Sequence, residues 1–340
     1  MLGRTIILGI FGALATDAVA QTDLPERFDY MGPAVRTLDV AGREVAFVDT
    51  GPADGIPVLF IGGTGTSAAV VHLTDFLRTM REDLGLRLVS IGRAGFGQSA
   101  PAEDWTFDDY ATDARAVLEE LGISDDVSLM AISGGGPYAA AFASAHPERI
   151  RSIHLAAATA LATRSSLCDD PAEMERVMDD YAAHPLDWWA FPDDSPTHDI
   201  PGFESAAADD GARTFGMAGQ RGSGAAEVAE YRRYCDLDLP DVSGVDAPVY
   251  IYQGLQDTTV TPANADRWEE AFQNVAARRD YEDGAHDVQY RHWDQILVDM
   301  AGMGDQIVLC ENGTSRLVAE DKAEAVLASG ARLGICAWPD

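Results

Sequence analysis

Val127-Ser128-Leu129-Met130-Ala131-Ile132-Ser133-Gly134-Gly135-Gly136-Pro137-Tyr138 runs from a mostly apolar segment straight into glycines. The apolar part predicts a short buried strand, and the glycines turn the chain into an Ala-rich helix over about residues 138–145. Ser133 is thereby set on a corner between strand and helix. A serine held in such a strained turn is exposed to reactants, and only small neighbours such as Ala131 and Gly135 let the two arms approach.

The flanking sequence repeats the strand-helix rhythm. A hairpin is expected within residues 36–49, with Ala41-Gly42 at its turn. Buried strands are expected at residues 58–61, 86–91, 150–155 and 249–252, and helices at about 72–84 and 110–121. Strands alternating with helices predict an α/β fold, a mostly parallel sheet with helices on both faces.

An insertion at 159–245 breaks that rhythm. It mixes short helical patterns, at 172–181 and 225–234, with Pro, Gly and Asp-rich turns and the aromatics Trp188, Trp189, Phe191 and Phe215. It reads as a helical cap over the carboxyl edge of the sheet, where open α/β sheets bind ligands. The aromatics line either a substrate pocket or the cap's own small core.

The expected organisation is a signal peptide at 1–20, sheet-and-helix core at 21–158 and 246–303, the cap between them, and a small module at 304–340. The leader reading rests on Arg4, the apolar run 6–14 and Ala18-Val19-Ala20 ahead of Gln21. It predicts a secreted or periplasmic protein. In the last module, two strands flank the turn Asn312-Gly313, and a helix over 320–328 precedes Gly330.

Cys168, Cys235, Cys310 and Cys336 form an even set, as expected of disulfides in an oxidising compartment. Three pairings exist in principle. Cys168 with Cys235 and Cys310 with Cys336 is preferred, because each pair closes one local segment and the second staples a module too small to hold itself together.

The 340-residue chain carries a formal charge of −32, with 56 acidic residues against 24 Lys and Arg. Such a surface repels phosphate backbones, so no nucleic acid and no stable membrane association are expected. No later segment reaches the ~18 apolar residues of a membrane span. His72, His146, His154, His184 and His198 lack metal-ligand spacing, so neither a metal nor another cofactor is expected.

Ala131-Ile132-Ser133-Gly134-Gly135, the run Gly92-Arg93-Ala94-Gly95-Phe96-Gly97-Gln98-Ser99, and Gly254-Leu255-Gln256-Asp257 ahead of Val260-Thr261-Pro262 together resemble the α/β-hydrolase family, cap included. Gly284-Ala285-His286 extends that resemblance, which covers about residues 36–302. It implies Ser133 as nucleophile, His286 as base and Asp257 as the acid that orients it, in the family's chain order. His292 is the rival base, and the nearby Asp283 and Asp287 are read as solvated. Backbone N–H groups of Thr64 and Gly134 are the implied oxyanion donors, although Gly62-Gly63 stands where many relatives have His-Gly.

The function expected from these residues is hydrolysis of a small-molecule ester or related acyl substrate through an acyl-enzyme. Serine at the corner argues against the family's dehalogenases and epoxide hydrolases, which use aspartate there. Two alternatives stand beside it: an aminopeptidase resembling proline iminopeptidases, needing a cap carboxylate such as Glu204, Glu227 or Glu230, and a non-catalytic binding protein on the same fold.

Overall fold

The computed structural model describes residues 34–183 and 224–336. Strands β1 (Arg36–Val40), β2 (Arg43–Thr50), β3 (Ile56–Ile61), β4 (Leu86–Ile91), β5 (Val127–Ile132), β6 (Ile150–Ala156), β7 (Val249–Gly254) and β8 (Val275–Tyr281) form one eight-stranded sheet in the order β1-β2-β4-β3-β5-β6-β7-β8. β2 is antiparallel to β1 and β4, and the strands from β4 to β8 are parallel. The opening hairpin turns on Ala41 and Gly42, at φ 54° and 85°, the left-handed pair that a two-residue hairpin turn requires.

β5 is buried at every position, as its mostly apolar run predicts for a central parallel strand, and the one polar side chain, Ser128, bonds Ser152 of β6 at 2.8 Å. One face of the sheet packs on α2 (Phe107–Glu120) and α3 (Gly136–Ala145), through Val117, Leu118, Tyr138 and Phe142. α2 starts at a reciprocal capping box between Thr106 and Asp109, which satisfies two otherwise orphaned N–H groups. The other face packs on α8 (Trp293–Met300) through Trp293, Ile296 and Leu297.

The helix expected over 72–84 is a 3-10 segment, Ala68–Leu77, followed by the short α1 (Arg78–Asp83). Ser67 starts that segment by accepting the Ala69 N–H.

Between β6 and β7 the described part of the insertion holds α4 (Pro171–Ala183) and α5 (Ala225–Asp236), which pack through Met174, Met178 and Val228. Cys168 pairs with Cys235. Trp188, Trp189, Phe191, Phe215 and Glu204 lie outside the described residues, as do residues 1–33. After β7 come α6 (Ala263–Ala271), β8 and the one-turn α7 (Val288–Arg291) that leads into α8.

The C-terminal segment is a three-stranded antiparallel sheet, β10 (Thr314–Ala319), β9 (Gln306–Glu311) and β11 (Arg332–Leu333), with α9 (Glu320–Ala328) against it. Its core is small, Ile307, Leu309, Val318 and Ala323. Cys310 pairs with Cys336, and α8 holds the segment through Gln295, which bonds Gln306 O and Val308 N, and Asp294, which accepts the Ile335 N–H. The strand β11 has no forecast in the sequence reading, being only two residues long.

Candidate active site

Ser133 has φ 50°, in the left-handed region that a non-glycine residue occupies only under constraint. The constraint is local packing. A Cβ on Gly135 would lie 2.6 Å from Ile61 O and 2.9 Å from Gly62 O, so only glycine lets the start of α3 pass this close to β3. Ser133 O accepts the Thr159 N–H, which ties the corner to the end of β6.

His286 follows β8 in the tight segment Gly284-Ala285. Its Nε2 lies 3.1 Å from Ser133 Oγ, and its Nδ1 lies 2.7 Å from Asp257 Oδ2. A carboxylate only accepts, so Nδ1 carries the proton and Nε2 presents its lone pair to the serine hydroxyl. Asp257 sits just past β7 with its carboxylate buried, and its second oxygen accepts the N–H groups of Thr259 and Val260 at 2.8 Å each. The carboxylate is thus held by its own turn, leaving one oxygen aimed at the imidazole. Gly254 permits this crossing, since a Cβ there would clash with the backbone of Gly284 and Ala285.

His292 is elsewhere. Its ring stacks on Tyr281 at a centroid distance of 3.6 Å, and burial, with Arg291 nearby, pushes its pKa down to about 3. Asp287 is buried rather than solvated, and its Oδ1 accepts the Ala285 N–H, bracing the turn that carries His286. Asp283 is exposed, with its carbonyl accepting from Arg291.

The loop Gly62–Thr66 comes off β3 beside the corner. A Cβ on Gly63 would be 3.2 Å from Ser133 Cβ, and one on Gly134 would fall on Thr64 Oγ1 and 2.9 Å from Thr64 N. The Thr64 amide and the peptide after Ser133 therefore lie side by side. Thr66 Oγ1 closes the loop on Gly63 O at 2.7 Å.

Buried polar groups beneath this loop are the part that sequence reading did not assemble. Arg93, in the second glycine-rich run, donates to Gly62 O at 2.7 Å and Gly63 O at 2.5 Å. Its Nε lies 2.7 Å from Glu230 Oε1, with both side chains buried. Burial alone disfavours the Arg93 cation, but the Glu230 carboxylate outweighs it and holds the guanidinium pKa above its ordinary value. Glu230 also accepts the Gly65 N–H at 2.8 Å and the Tyr138 hydroxyl at 3.1 Å. Tyr234 donates to Gly134 O at 2.9 Å, and burial, with Glu230 nearby, keeps its phenol protonated well past its ordinary range. The only sequence signal for these contacts was a charged residue at 93 and another at 230, with nothing linking them.

Among the described residues no group of three or more His, Cys, Asp and Glu is arranged to hold a metal ion, and no helix is long and apolar enough to cross a membrane.

A family model for the alpha/beta hydrolase fold matches residues 56–292, more than half of the chain. The chain belongs to the α/β-hydrolase fold family. It is 27% identical over 268 residues to a non-heme chloroperoxidase of Streptomyces lividans, covering 76% of this chain and 95% of that protein. A non-heme chloroperoxidase of Burkholderia pyrrocinia is 27% identical over 242 residues, 68% of this chain and 85% of that protein. Among solved structures, an esterase from Exiguobacterium antarcticum superposes with a TM-score of 0.63 at 17% identity, covering 80% of this chain and 98% of that one. The enol-lactonase from Burkholderia xenovorans LB400 gives a TM-score of 0.62 at 17% identity, over 79% of this chain and 99% of that one. At these identities the structural likeness speaks to the fold.

Proposed function

We propose that this protein is an exported serine hydrolase that cleaves a small carboxylic ester or a related acyl compound through an acyl-enzyme intermediate. The observation that carries the reading is the continuous hydrogen-bonded line from Asp257 through His286 to Ser133.

Ser133 Oγ attacks the acyl carbon while its proton passes to His286 Nε2, because a free hydroxyl is too weakly acidic to ionise at neutral pH. Asp257 holds the imidazole in the required tautomer and stabilises its charged form. The negative oxygen of the tetrahedral intermediate is received by the N–H groups of Thr64 and Gly134, each such donor contributing on the order of 100-fold to 1,000-fold in rate. Collapse of the intermediate expels the alcohol, which takes the proton from His286 and leaves the acyl group on Ser133. Water, deprotonated by the same histidine, then releases the acid and restores the serine.

Disulfide pairing of the cysteines supports export, since such bonds persist in oxidising compartments. N-terminal sequencing of the mature protein from the culture medium or periplasm tests that part. The aminopeptidase alternative loses one of its anchors, because the Glu230 carboxylate is committed to Arg93 and the Gly65 N–H. A panel of p-nitrophenyl esters of graded chain length beside proline amides tests the substrate class. Ester turnover that disappears in Ser133→Ala is expected, whereas turnover of the proline amides alone would favour the aminopeptidase. A folded protein with neither activity would favour the binding protein.

The relatives named as chloroperoxidases favour one further use of the same acyl-enzyme. If hydrogen peroxide replaces water in the second half, its oxygen takes the acyl group, giving a percarboxylic acid and free Ser133. That peracid oxidises halide to hypohalous acid and returns to the carboxylic acid. Bromination of monochlorodimedone dependent on peroxide, bromide and acetate, and absent in Ser133→Ala, tests it.

A further inference from the structure

We propose that Glu230, acting through Arg93 and Gly65, is a positioning residue for the loop that carries Thr64, which makes helix α5 of the insertion a working part of the oxyanion site. The inference rests on the reading of Ser133 as nucleophile and of the Thr64 and Gly134 amides as oxyanion donors.

One ion pair grips the loop on both sides of Thr64. Upstream, the Arg93 cation takes the carbonyls of Gly62 and Gly63. Downstream, Glu230 Oε2 takes the Gly65 N–H. Arg93 Nε and Glu230 Oε1 close the bracket, and Tyr138 from α3 adds its hydroxyl to the same carboxylate oxygen. The peptides flanking Thr64 therefore cannot tilt without breaking charge-assisted hydrogen bonds, which are roughly twice as strong as neutral ones.

The same helix grips the second donor. Tyr234 lies four residues after Glu230, one turn along α5, and its hydroxyl donates to Gly134 O while Thr64 Oγ1 donates to it at 3.4 Å. The next residue, Cys235, is bonded to Cys168, which anchors this end of the helix. Both peptides that are to face the oxyanion are thus braced from one helical turn.

Energetics favour a geometric role over a stabilising one. A buried ion pair gives little net stability, because removing two charges from water offsets most of their attraction. What it supplies here is rigidity at a place where fixed dipoles matter most, since preorganised donors act without reorganising at the moment of reaction.

The test uses the full-length protein with the p-nitrophenyl ester it turns over fastest, and a trifluoromethyl ketone that adds to the nucleophilic serine as a tetrahedral adduct. Glu230→Gln keeps an acceptor for Gly65 but removes the charge, and Tyr234→Phe removes one oxygen and leaves the ion pair intact. A displacement of about 1 Å at a reacting centre costs on the order of 100-fold. The expected result for Glu230→Gln is a kcat loss of about that size, KM within about twofold of wild type, and a matching loss of ketone affinity. For Tyr234→Phe the same signature at about 10-fold is expected, and if circular dichroism shows Glu230→Gln unfolded, Glu230→Asp, which keeps the charge but shortens its reach to Arg93 and Gly65, decides the matter by the same kcat and ketone readouts. Unchanged kcat and ketone affinity in folded variants, or a rise in KM alone, overturns the proposal. Failure of the underlying hydrolase reading is distinct: wild-type protein would then show no ester turnover and no adduct at Ser133, and the inference would fall with it.

Discussion

Asp257, in the turn after β7, meets His286, in the turn after the neighbouring β8, its Oδ2 2.7 Å from the imidazole Nδ1 while its Oδ1 is occupied by the N–H groups of Thr259 and Val260. The carboxylate has no freedom to turn away, so the histidine tautomer is set before any substrate arrives. Asp257→Asn replaces an acceptor by a group whose amide can donate to Nδ1 and place the proton on Nε2, where it cannot accept from Ser133. A fall in kcat on the order of 1,000-fold to 10,000-fold is expected, with KM little changed, in steady-state assays on a p-nitrophenyl ester.

His286 and His292 separate by what each substitution damages. His286→Ala removes the base and abolishes turnover, while its half-exposed position leaves the thermal midpoint near wild type. His292→Ala removes a ring stacked on Tyr281, and a loss of about 1–3 kcal/mol in denaturant unfolding is expected with kcat retained. Turnover lost in His292→Ala and kept in His286→Ala would reverse the assignment.

Gly134→Ala probes the donor pair. The added methyl would fall on Thr64 Oγ1 and within 2.5 Å of the Tyr234 hydroxyl, so the Thr64 loop has to move away from the serine. A loss on the order of 100-fold in kcat, with near-wild-type circular dichroism, is the expected outcome.

Much of the sheet was legible because its strands are short, mostly apolar runs broken at or just before glycine, as at 58–61 and 127–132, the composition a buried parallel strand favours. Ser133, Asp257 and His286 were legible through family order, and the structure brings them within hydrogen-bonding reach. β8 was harder, because Val275–Tyr281 is an edge strand whose Arg278, Arg279 and Asp280 are spent on ion pairs rather than on a core. The pairing of Arg93 with Glu230 left no trace in either segment, since it joins the loop after β4 to helix α5 across β5, β6 and most of the insertion. Asp287 was misread as solvated for a related reason: a carboxylate that braces its own turn looks in sequence like any surface aspartate.

The C-terminal segment depends on its staple more than the site does. With a core cluster of only four buried apolar side chains and a sequence separation of 26 residues between Cys310 and Cys336, the bond contributes roughly 3–4 kcal/mol on the chain-entropy model. In the double variant Cys310→Ser and Cys336→Ser, hydrogen exchange is expected to speed up across residues 306–333 while ester kcat stays near wild type. Loss of activity with an intact segment would show a closer tie to Ser133 than the fold implies.

His154 sets a pH limit on stability. It is buried in β6, in contact with Ser152 and Tyr252, and burial, with Arg279 nearby, pushes its pKa down to about 3. The unfolded chain binds a proton at this residue below about pH 6.5 and the folded chain does not, so its contribution is fully present above that value. Stability is expected to fall by up to about 1.4 kcal/mol per pH unit from this group as pH drops from about 6.5 towards 3. Heteronuclear NMR of the imidazole nitrogens checks the cause: His154 remains neutral at pH 5 in the folded protein, and a protonated ring there would refute it.

His286 and Asp257 are proposed to make Ser133 nucleophilic. Incubation of folded wild-type protein with a fluorophosphonate, followed by peptide mass spectrometry, tests it most directly. One stoichiometric adduct on Ser133 is expected, abolished in Ser133→Ala and strongly slowed in His286→Ala. Folded protein that remains unlabelled at Ser133, or is labelled at another residue at the same rate, would contradict it.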